Sequence, residues 1–272
     1  MILAIDIGGT KTLLAVFTNN GQLKKSIKLA TPKDYSKLIS SLKAAIIRFE
    51  EYDFDYACVA IPGKVNRQKG IGIAFGNLNW TNITIRKDLR TFIKCPVVIE
   101  NDANLAGLFE SRQILKDYER VLYLTISTGI GSGITLNGNL DQDLIESEAG
   151  HMKFQFGDKM LTWEDFASGR SIKKTYGKLA SEINDRKTWK EISHRFSIGI
   201  SSLIATIQPD AIVIGGSVGT YFHKYRAPLK NELKKLSTPL TPVPVTLRAT
   251  KPEEAVIYGC YELAKDKYYE SS

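Results

Sequence analysis

A strand–turn–strand pattern recurs in the two halves of the chain, and it restricts the fold more than any other feature. Residues 2–7 read as a buried strand that carries Asp6 near its end, Gly8-Gly9 as a turn, and residues 12–18 as a second strand closed by Asn19-Asn20-Gly21. In the second half, Val121–Ser127 reads as a strand, Thr128–Gly133 as a glycine turn and Ile134–Leu136 as another strand, closed by Asn137-Gly138. Asn-Gly between apolar runs signals a hairpin, because both residues tolerate the positive φ that a tight loop needs. A chain that repeats this unit, with helical segments following, predicts an α/β fold in two halves.

The remaining elements fit that scheme. Residues 22–30 alternate as a third strand. Leu38, Leu42, Ala45, Ile46 and Phe49 recur at helical spacing from Asp34, a capping residue, to about Glu51. Tyr56–Ile61 is a strand stopped by Pro62-Gly63, residues 64–76 are partly strand-like, residues 84–93 form a short helix, Val97–Glu100 a strand and Asn104–Leu115 a helix. Beyond Thr162 the pattern is mainly helical through about Ile207. Ala211–Ile214 is a strand that runs into Gly215-Gly216, Val243–Ala249 the last strand, and residues 252–269 a terminal helix. With 272 residues there is room for two modest domains, and the boundary falls near residues 104–116.

Composition narrows the function classes. Hydrophobic residues at 43% and charged residues at 24% are those of an ordinary globular chain, not a disordered one. No apolar run reaches the roughly 20 residues that span a bilayer, so no membrane partner is expected. The chain opens on an apolar strand with no basic leader, which predicts no signal peptide. Cys58, Cys95 and Cys260 are odd in number, far apart and without metal-knuckle spacing, which fits a reducing cytoplasm. The net charge of +8 comes from Lys and Arg spread along the chain, densest on one helix face between Lys224 and Lys235. It fits solubility and attraction for a small anion better than a nucleic-acid partner.

Five motifs could carry chemistry. In Asp6-Ile7-Gly8-Gly9-Thr10-Lys11-Thr12 a strand-end carboxylate precedes a glycine turn whose N–H groups can approach phosphate oxygens, with two hydroxyls and a cation added. Asp6 would face Mg²⁺, directly or through water. The spacing is not that of a P-loop, and an ordinary hairpin with a capping Asp is the plain alternative. Ser127-Thr128-Gly129-Ile130-Gly131-Ser132-Gly133 repeats that context in the second half. Glu100-Asn101-Asp102-Ala103-Asn104 lies between a strand and a helix, where α/β sites form. Asp102 there could accept a proton from an attacking hydroxyl, although one of these polar groups would also serve as a helix cap. Glu148 and His151, in Glu-Ala-Gly-His, could hydrogen-bond neighbouring sugar hydroxyls. Ile214-Gly215-Gly216 could lie flat beneath a nucleoside, or be simply a turn.

Taken together and in this order, the motifs resemble the ROK family of sugar kinases and sugar-responsive regulators, within the actin-like ATPase superfamily. The resemblance covers nearly the whole chain. Asp6, Gly8, Gly9, Thr10, Lys11 and Thr12 resemble the family's first phosphate loop, Thr128, Gly129 and Gly131 its second, and Gly215-Gly216 its adenosine loop. Ile61-Pro62-Gly63 and Asn77-Leu78-Asn79-Trp80 resemble landmarks of its sugar domain. Asn101-Asp102-Ala103-Asn104 resembles its catalytic segment, with Asp102 at the general-base position. Gly63, Asn101, Glu148, His151 and, in Trp163–Gly169, Glu164 fall at sugar-site positions.

The resemblance implies two RNase-H-like domains flanking an interdomain cleft: residues 1–106 plus 252–272 as the small α/β domain, and 107–251 as the large one. It implies ATP and Mg²⁺ as cofactors, and a hexose-like small molecule phosphorylated with Asp102 as base. Glucose at O6 leads, with fructose, mannose, N-acetylglucosamine and N-acetylmannosamine open. Many relatives carry a structural zinc after the Glu-x-Gly-His motif. Here Met152–Thr162 holds no cysteine or histidine, so no zinc is expected, and a plug of Met152, Phe154, Phe156 and Met160 would replace it. Family members are often homodimers, but no seam in the sequence identifies one. Two rivals follow from the same resemblance. A sugar-binding regulator would carry a helix-turn-helix ahead of the first loop, for which the sequence before Asp6 has no room. A polyphosphate-dependent kinase would suit the charge but usually departs from Thr-Lys-Thr in the first loop.

Overall fold

Ile2–Ile7 (β1) is apolar at every position except Asp6, and such a strand is stable only when sheet neighbours and both faces are covered. In the computed structural model, which describes residues 1–49, 51–76 and 78–271, that condition is met. β1 pairs antiparallel with β2 (Lys11–Phe17), which pairs antiparallel with β3 (Leu23–Ala30). After α1 (Tyr35–Ile47), β4 (Tyr56–Ile61) returns parallel to β1. β5 (Gly63–Asn66), β6 (Ile71–Phe75) and β7 (Thr81–Ile83) form a small separate sheet, followed by α2 (Ile85–Leu89). β8 (Val97–Asn101) then adds parallel to β4 and leads directly into α3 (Asp102–Gln113), giving the order β3-β2-β1-β4-β8.

The second half repeats the plan. β9 (Arg120–Ile126), β10 (Ile130–Leu136) and β11 (Asn139–Leu140) run antiparallel. β12 (Lys153–Phe156) and β13 (Lys159–Thr162) make a hairpin. α4 (Trp163–Ala167), α5 (Gly169–Tyr176) and α6 (Arg186–Ile207) precede β14 (Ala211–Gly215), which lies parallel to β9. α7 (Gly216–Gly219) and α8 (Phe222–Leu236) lead to β15 (Val245–Arg248), parallel to β14, and α9 (Ala255–Ser271) ends the described chain. The order β11-β10-β9-β14-β15 matches the first sheet, with three antiparallel strands followed by two parallel additions.

The chain divides into two compact units, Met1–Phe109 with Val256–Ser272, and Glu110–Ala255. In unit 1 one sheet face buries Leu3, Ile5 and Val59 against Leu38, Leu42 and Ala45 of α1. Its other face packs Ala4 and Cys58 against Ile257, Cys260 and Tyr261 of α9. In unit 2 Leu122, Leu124 and Ile212 meet Phe196 and Ile200 of α6 and Leu229 of α8. The cap expected at Asp34 is present, its carboxylate accepting from the Lys37 N–H at 3.0 Å, and α6 has a like cap in Asp185, whose carboxylate accepts from the Thr188 N–H at 2.7 Å.

The helix expected over 84–93 is shorter, Ile85–Leu89, the last strand is Val245–Arg248 rather than Val243–Ala249, and two boundaries at the candidate site also differ from expectation. The glycine turn predicted over Thr128–Gly133 spans only Ser127–Gly129, because Gly131 and Gly133 pair in register with Thr125 and Tyr123 on β9. The helix expected from Asn104 starts at Asp102, because the Asn101 side chain caps it. Among the described residues no helix is long and apolar enough to cross a membrane.

Candidate active site

In unit 1 the polar residues gather at the carboxyl ends of the parallel strands β1, β4 and β8, the end at which α/β sheets bind ligands. Asp6 is half-buried near the end of β1. Burial, and then the nearby charge of Asp102, pushes its carboxyl up to about 7. A carboxylate whose ionisation is disfavoured by burial and by a second acid nearby fits a divalent cation, which would restore its charge. The turn after β1 is tight: the Gly8 N–H donates to the Lys11 carbonyl at 3.0 Å, and a Cβ on Gly8 would sit 2.9 Å from that oxygen. Thr10 and Lys11 are exposed, so both are free to meet an anion. Thr12 departs from its expected role. It is fully buried in β2, and its hydroxyl pairs with that of Thr31 at 2.8 Å, which fixes β3 beside the turn.

Asn101 and Asp102 sit where β8 becomes α3. The Asn101 side-chain oxygen accepts from the Ala103 and Asn104 N–H groups at 2.8 and 3.1 Å, and its amide donates to the Gly63 carbonyl at 3.0 Å. Two expected sugar-site residues, Gly63 and Asn101, are thus joined. Gly63 has to be glycine: its φ is +133°, and a Cβ would lie 2.2 Å from the Ala74 oxygen. Of the landmark Asn77-Leu78-Asn79-Trp80, Asn77 lies outside the described residues. Leu78 and Trp80 are core residues, and the Trp80 indole donates to the Lys33 carbonyl at 2.7 Å.

In unit 2 Glu164 and the turn that bears Glu148 and His151 both lie against the backbone of Ile130. Glu164, the second residue of α4, accepts from the Ile130 N–H at 3.2 Å and lies where a Cβ on Gly129 would come within 2.4 Å of its carboxylate. A Cβ on Gly150 would meet the Ile130 carbonyl at 2.1 Å, so the turn bearing Glu148 and His151 presses against the same residue. Glu148 and His151 are exposed. Thr128 is exposed at the apex of the turn, whereas Gly131 belongs to β10 and is paired with Thr125.

The hairpin β12–β13 supports Glu164 from below. Phe156 stacks on Phe166 of α4 with centroids 4.3 Å apart, Phe154 meets its edge, and Thr162 and Asp165 close a capping box. Met152, Phe154 and Phe156 pack against the core as expected. Met160 does not: it is 61% exposed, and Leu161 takes the inward position, because adjacent strand residues face opposite sides.

Gly215 and Gly216 are buried rather than open to a ligand. Gly216 has φ +78° and leaves no room for a Cβ, which would lie 2.5 Å from the Ile126 carbonyl. A Cβ on Gly215 would overlap the Tyr123 ring. The residues after them face a cavity of about 370 Å³ together with Thr128, Arg170 and Lys173. Ser217, Thr220 and Tyr221 line it, and the Thr220 hydroxyl is buried without a hydrogen-bond partner in the protein. An orphaned polar atom facing a cavity fits a ligand that supplies its partner. The sequence reading missed Arg170, Lys173, Thr220 and Tyr221. The i, i+3 spacing of Arg170 and Lys173 just beyond the Glu164 segment was the available signal.

Comparison with known proteins shows the family and the fold. The family model described as "ROK family" matches residues 2–267. An N-acetyl-D-glucosamine kinase of Mannheimia succiniciproducens is 28% identical over 307 aligned positions, covering 97% of this chain and 99% of that protein. A ROK family glucokinase from Streptomyces griseus, solved with glucose and AMPPNP, superposes with TM-score 0.84 at 22% identity over 97% of this chain and 99% of its own. A ROK family transcriptional regulator, a homologue of the E. coli MLC protein, superposes with TM-score 0.86 at 18% identity, over 99% of this chain and 78% of its own. These likenesses confirm the α/β fold of the actin-like ATPase type. With the family model matching nearly its whole length, the chain belongs to the ROK family.

Proposed function

We propose that this protein is a sugar kinase that transfers the γ-phosphoryl group of ATP to a hydroxyl of a hexose. The observation that carries the reading is the pair Asp6 and Asp102 at the carboxyl ends of the strands of unit 1, close enough for the charge of one to raise the other. A scaffold or a pure binder has no need of two such acids, whereas phosphoryl transfer needs a cation ligand and a proton acceptor. Magnesium held by Asp6, directly or through water, would neutralise charge on the transferring group. Asp102, fixed at the first turn of α3, takes the proton of the attacking hydroxyl as the bond to phosphorus forms. Glu148, His151 and Glu164 accept and donate hydrogen bonds to the sugar. Thr10, Lys11 and Thr128 meet the phosphates. The cavity beside Thr220 and Tyr221 receives the nucleoside, with Arg170 and Lys173 at its rim. Glucose at O6 is the first acceptor to test.

An ADP-release assay with Mg–ATP and a panel of glucose, N-acetylglucosamine, fructose, mannose and N-acetylmannosamine tests the reading. At least one sugar is expected to raise ADP release far above the sugar-free rate, and Asp102→Ala to abolish that rise while ATP still binds. Turnover of none of them, or near-wild-type turnover by Asp102→Ala, would reject it. The charge of +8 favours one variation, polyphosphate as donor. Competition between ATP and polyphosphate in the same assay decides which donor is used.

A further inference from the structure

Glu100 is 2% exposed, two residues before the proposed base, and it bears four short contacts. Arg67 grips it with both arms of the guanidinium, Nε to Oε2 at 2.6 Å and Nη2 to Oε1 at 2.6 Å. The same Oε1 accepts from the Asn101 backbone N–H at 2.7 Å and from the Asn104 side chain at 3.0 Å. Asn104 in turn receives the Asn101 cap through its backbone N–H. One carboxylate therefore ties the last strand residue and the first turn of α3 to a single cation.

Arg67 is itself held. It opens the turn between β5 and β6, and Arg86 of α2 pins that turn by donating to the Arg67 carbonyl at 2.5 Å and the Gln68 carbonyl at 3.1 Å. The base of the same hairpin bears Gly63, whose carbonyl receives the Asn101 amide. The hairpin thus holds the β8–α3 junction at two points, by an ion pair at its tip and an amide at its base.

We infer that Arg67 is a positioning residue for phosphoryl transfer: through its bidentate pair with Glu100 it fixes Asn101 and the start of α3, and so the direction in which Asp102 points. Without Arg67 the buried Glu100 loses its counter-charge and must take up a proton or move. Either change costs it an acceptor, and the Asn101 N–H or the Asn104 amide loses its partner. A carboxylate base displaced by a fraction of an ångström loses rate, because proton transfer demands alignment. Lysine could replace the charge but not the two parallel N–H bonds.

This inference rests on the reading of Asp102 as the base, and the test separates the two. Arg67→Met, Arg67→Lys, Glu100→Gln and Asp102→Ala are assayed with Mg–ATP and the fastest sugar of the panel, after thermal melts identify the folded variants. Arg67→Met is expected to lower kcat about 10- to 100-fold with the KM for ATP unchanged, the scale of a misplaced reacting group. Arg67→Lys should recover only part of the loss, and Glu100→Gln should match Arg67→Met. If Asp102→Ala is inactive while folded Arg67→Met or Glu100→Gln keeps wild-type kcat, the role of Arg67 is refuted and the base stands. If Asp102→Ala stays active, the base assignment fails, and with it the role of Arg67. Should Arg67→Met not fold, Glu100→Gln decides by the same criteria.

Discussion

At the scale of single residues, the most consequential feature is a carboxyl that folding makes hard to ionise. Asp6 has an ordinary value near 3.8 when unfolded and about 7 when folded, chiefly through burial and secondarily through Asp102. The folded state therefore binds the proton more tightly. The stability that Asp6 itself contributes without ligands should be greatest below about pH 4, fall as pH rises towards 7, and level off above it, a span worth up to about 4 kcal/mol. Asp6→Asn should flatten that fall and melt higher than wild type at pH 8, with the difference gone at pH 4, when both are followed by thermal melts without nucleotide. An Asp6→Asn variant with the unaltered wild-type pH profile would show that Asp6 is solvated. Gly63 offers a second check. Alanine there would force a Cβ to within 2.2 Å of the Ala74 carbonyl at φ +133°, and Gly63→Ala should cost at least about 1–3 kcal/mol of stability.

Among the elements, the β12–β13 hairpin has the clearest duty. Its aromatic side chains meet Phe166 on the underside of α4, and α4 presents Glu164 to the turn before β10. Phe166→Ala would open a cavity between hairpin and helix and should cost about 3–5 kcal/mol, read as a lowered denaturant midpoint. Because Glu164 would lose its support, the sugar KM should rise more than the ATP KM. Equal rises would mean that the hairpin stabilises unit 2 without serving the sugar. The milder Thr162→Ala removes the capping box alone and should cost about 1 kcal/mol.

On the scale of the whole molecule, the chain passes between its two units twice, near Phe109 and near Ala255. Glu110 stands beside the first passage, is 1% exposed, and accepts from the Thr250 N–H at 2.7 Å and the Lys251 N–H at 2.8 Å, shortly before the second. Burial raises its carboxyl above the usual range, and those backbone donors oppose the rise. Glu110→Ala removes both bonds and should cost about 1 kcal/mol for each, read as a lowered denaturant midpoint. The cavity proposed for the nucleoside lies wholly within unit 2, so Mg–AMPPNP should slow amide exchange around residues 127–129, 169–173 and 217–221 more than anywhere in the terminal helix α9. Uniform protection of both units would contradict that placement.

What could be read without coordinates was local or periodic. Strands β1, β4, β9 and β14, the cap at Asp34, the repeated strand–glycine–strand unit and the order of the family motifs all depend on neighbours in the chain, which sequence displays directly. Contacts between distant segments were invisible. Periodicity does not reveal that Thr12 spends its hydroxyl on Thr31, that Met160 faces water while Leu161 faces the core, or that Gly215 and Gly216 are glycines because β9 crowds them. Nor does it reveal that Arg67 and Glu100, 33 residues apart, meet as a bidentate pair. Short-range preferences set the elements and the list of chemically able residues. Which of those residues face a cavity and which are consumed in holding it open was decided by packing, because burial forces each polar group to find a partner wherever the fold brings one.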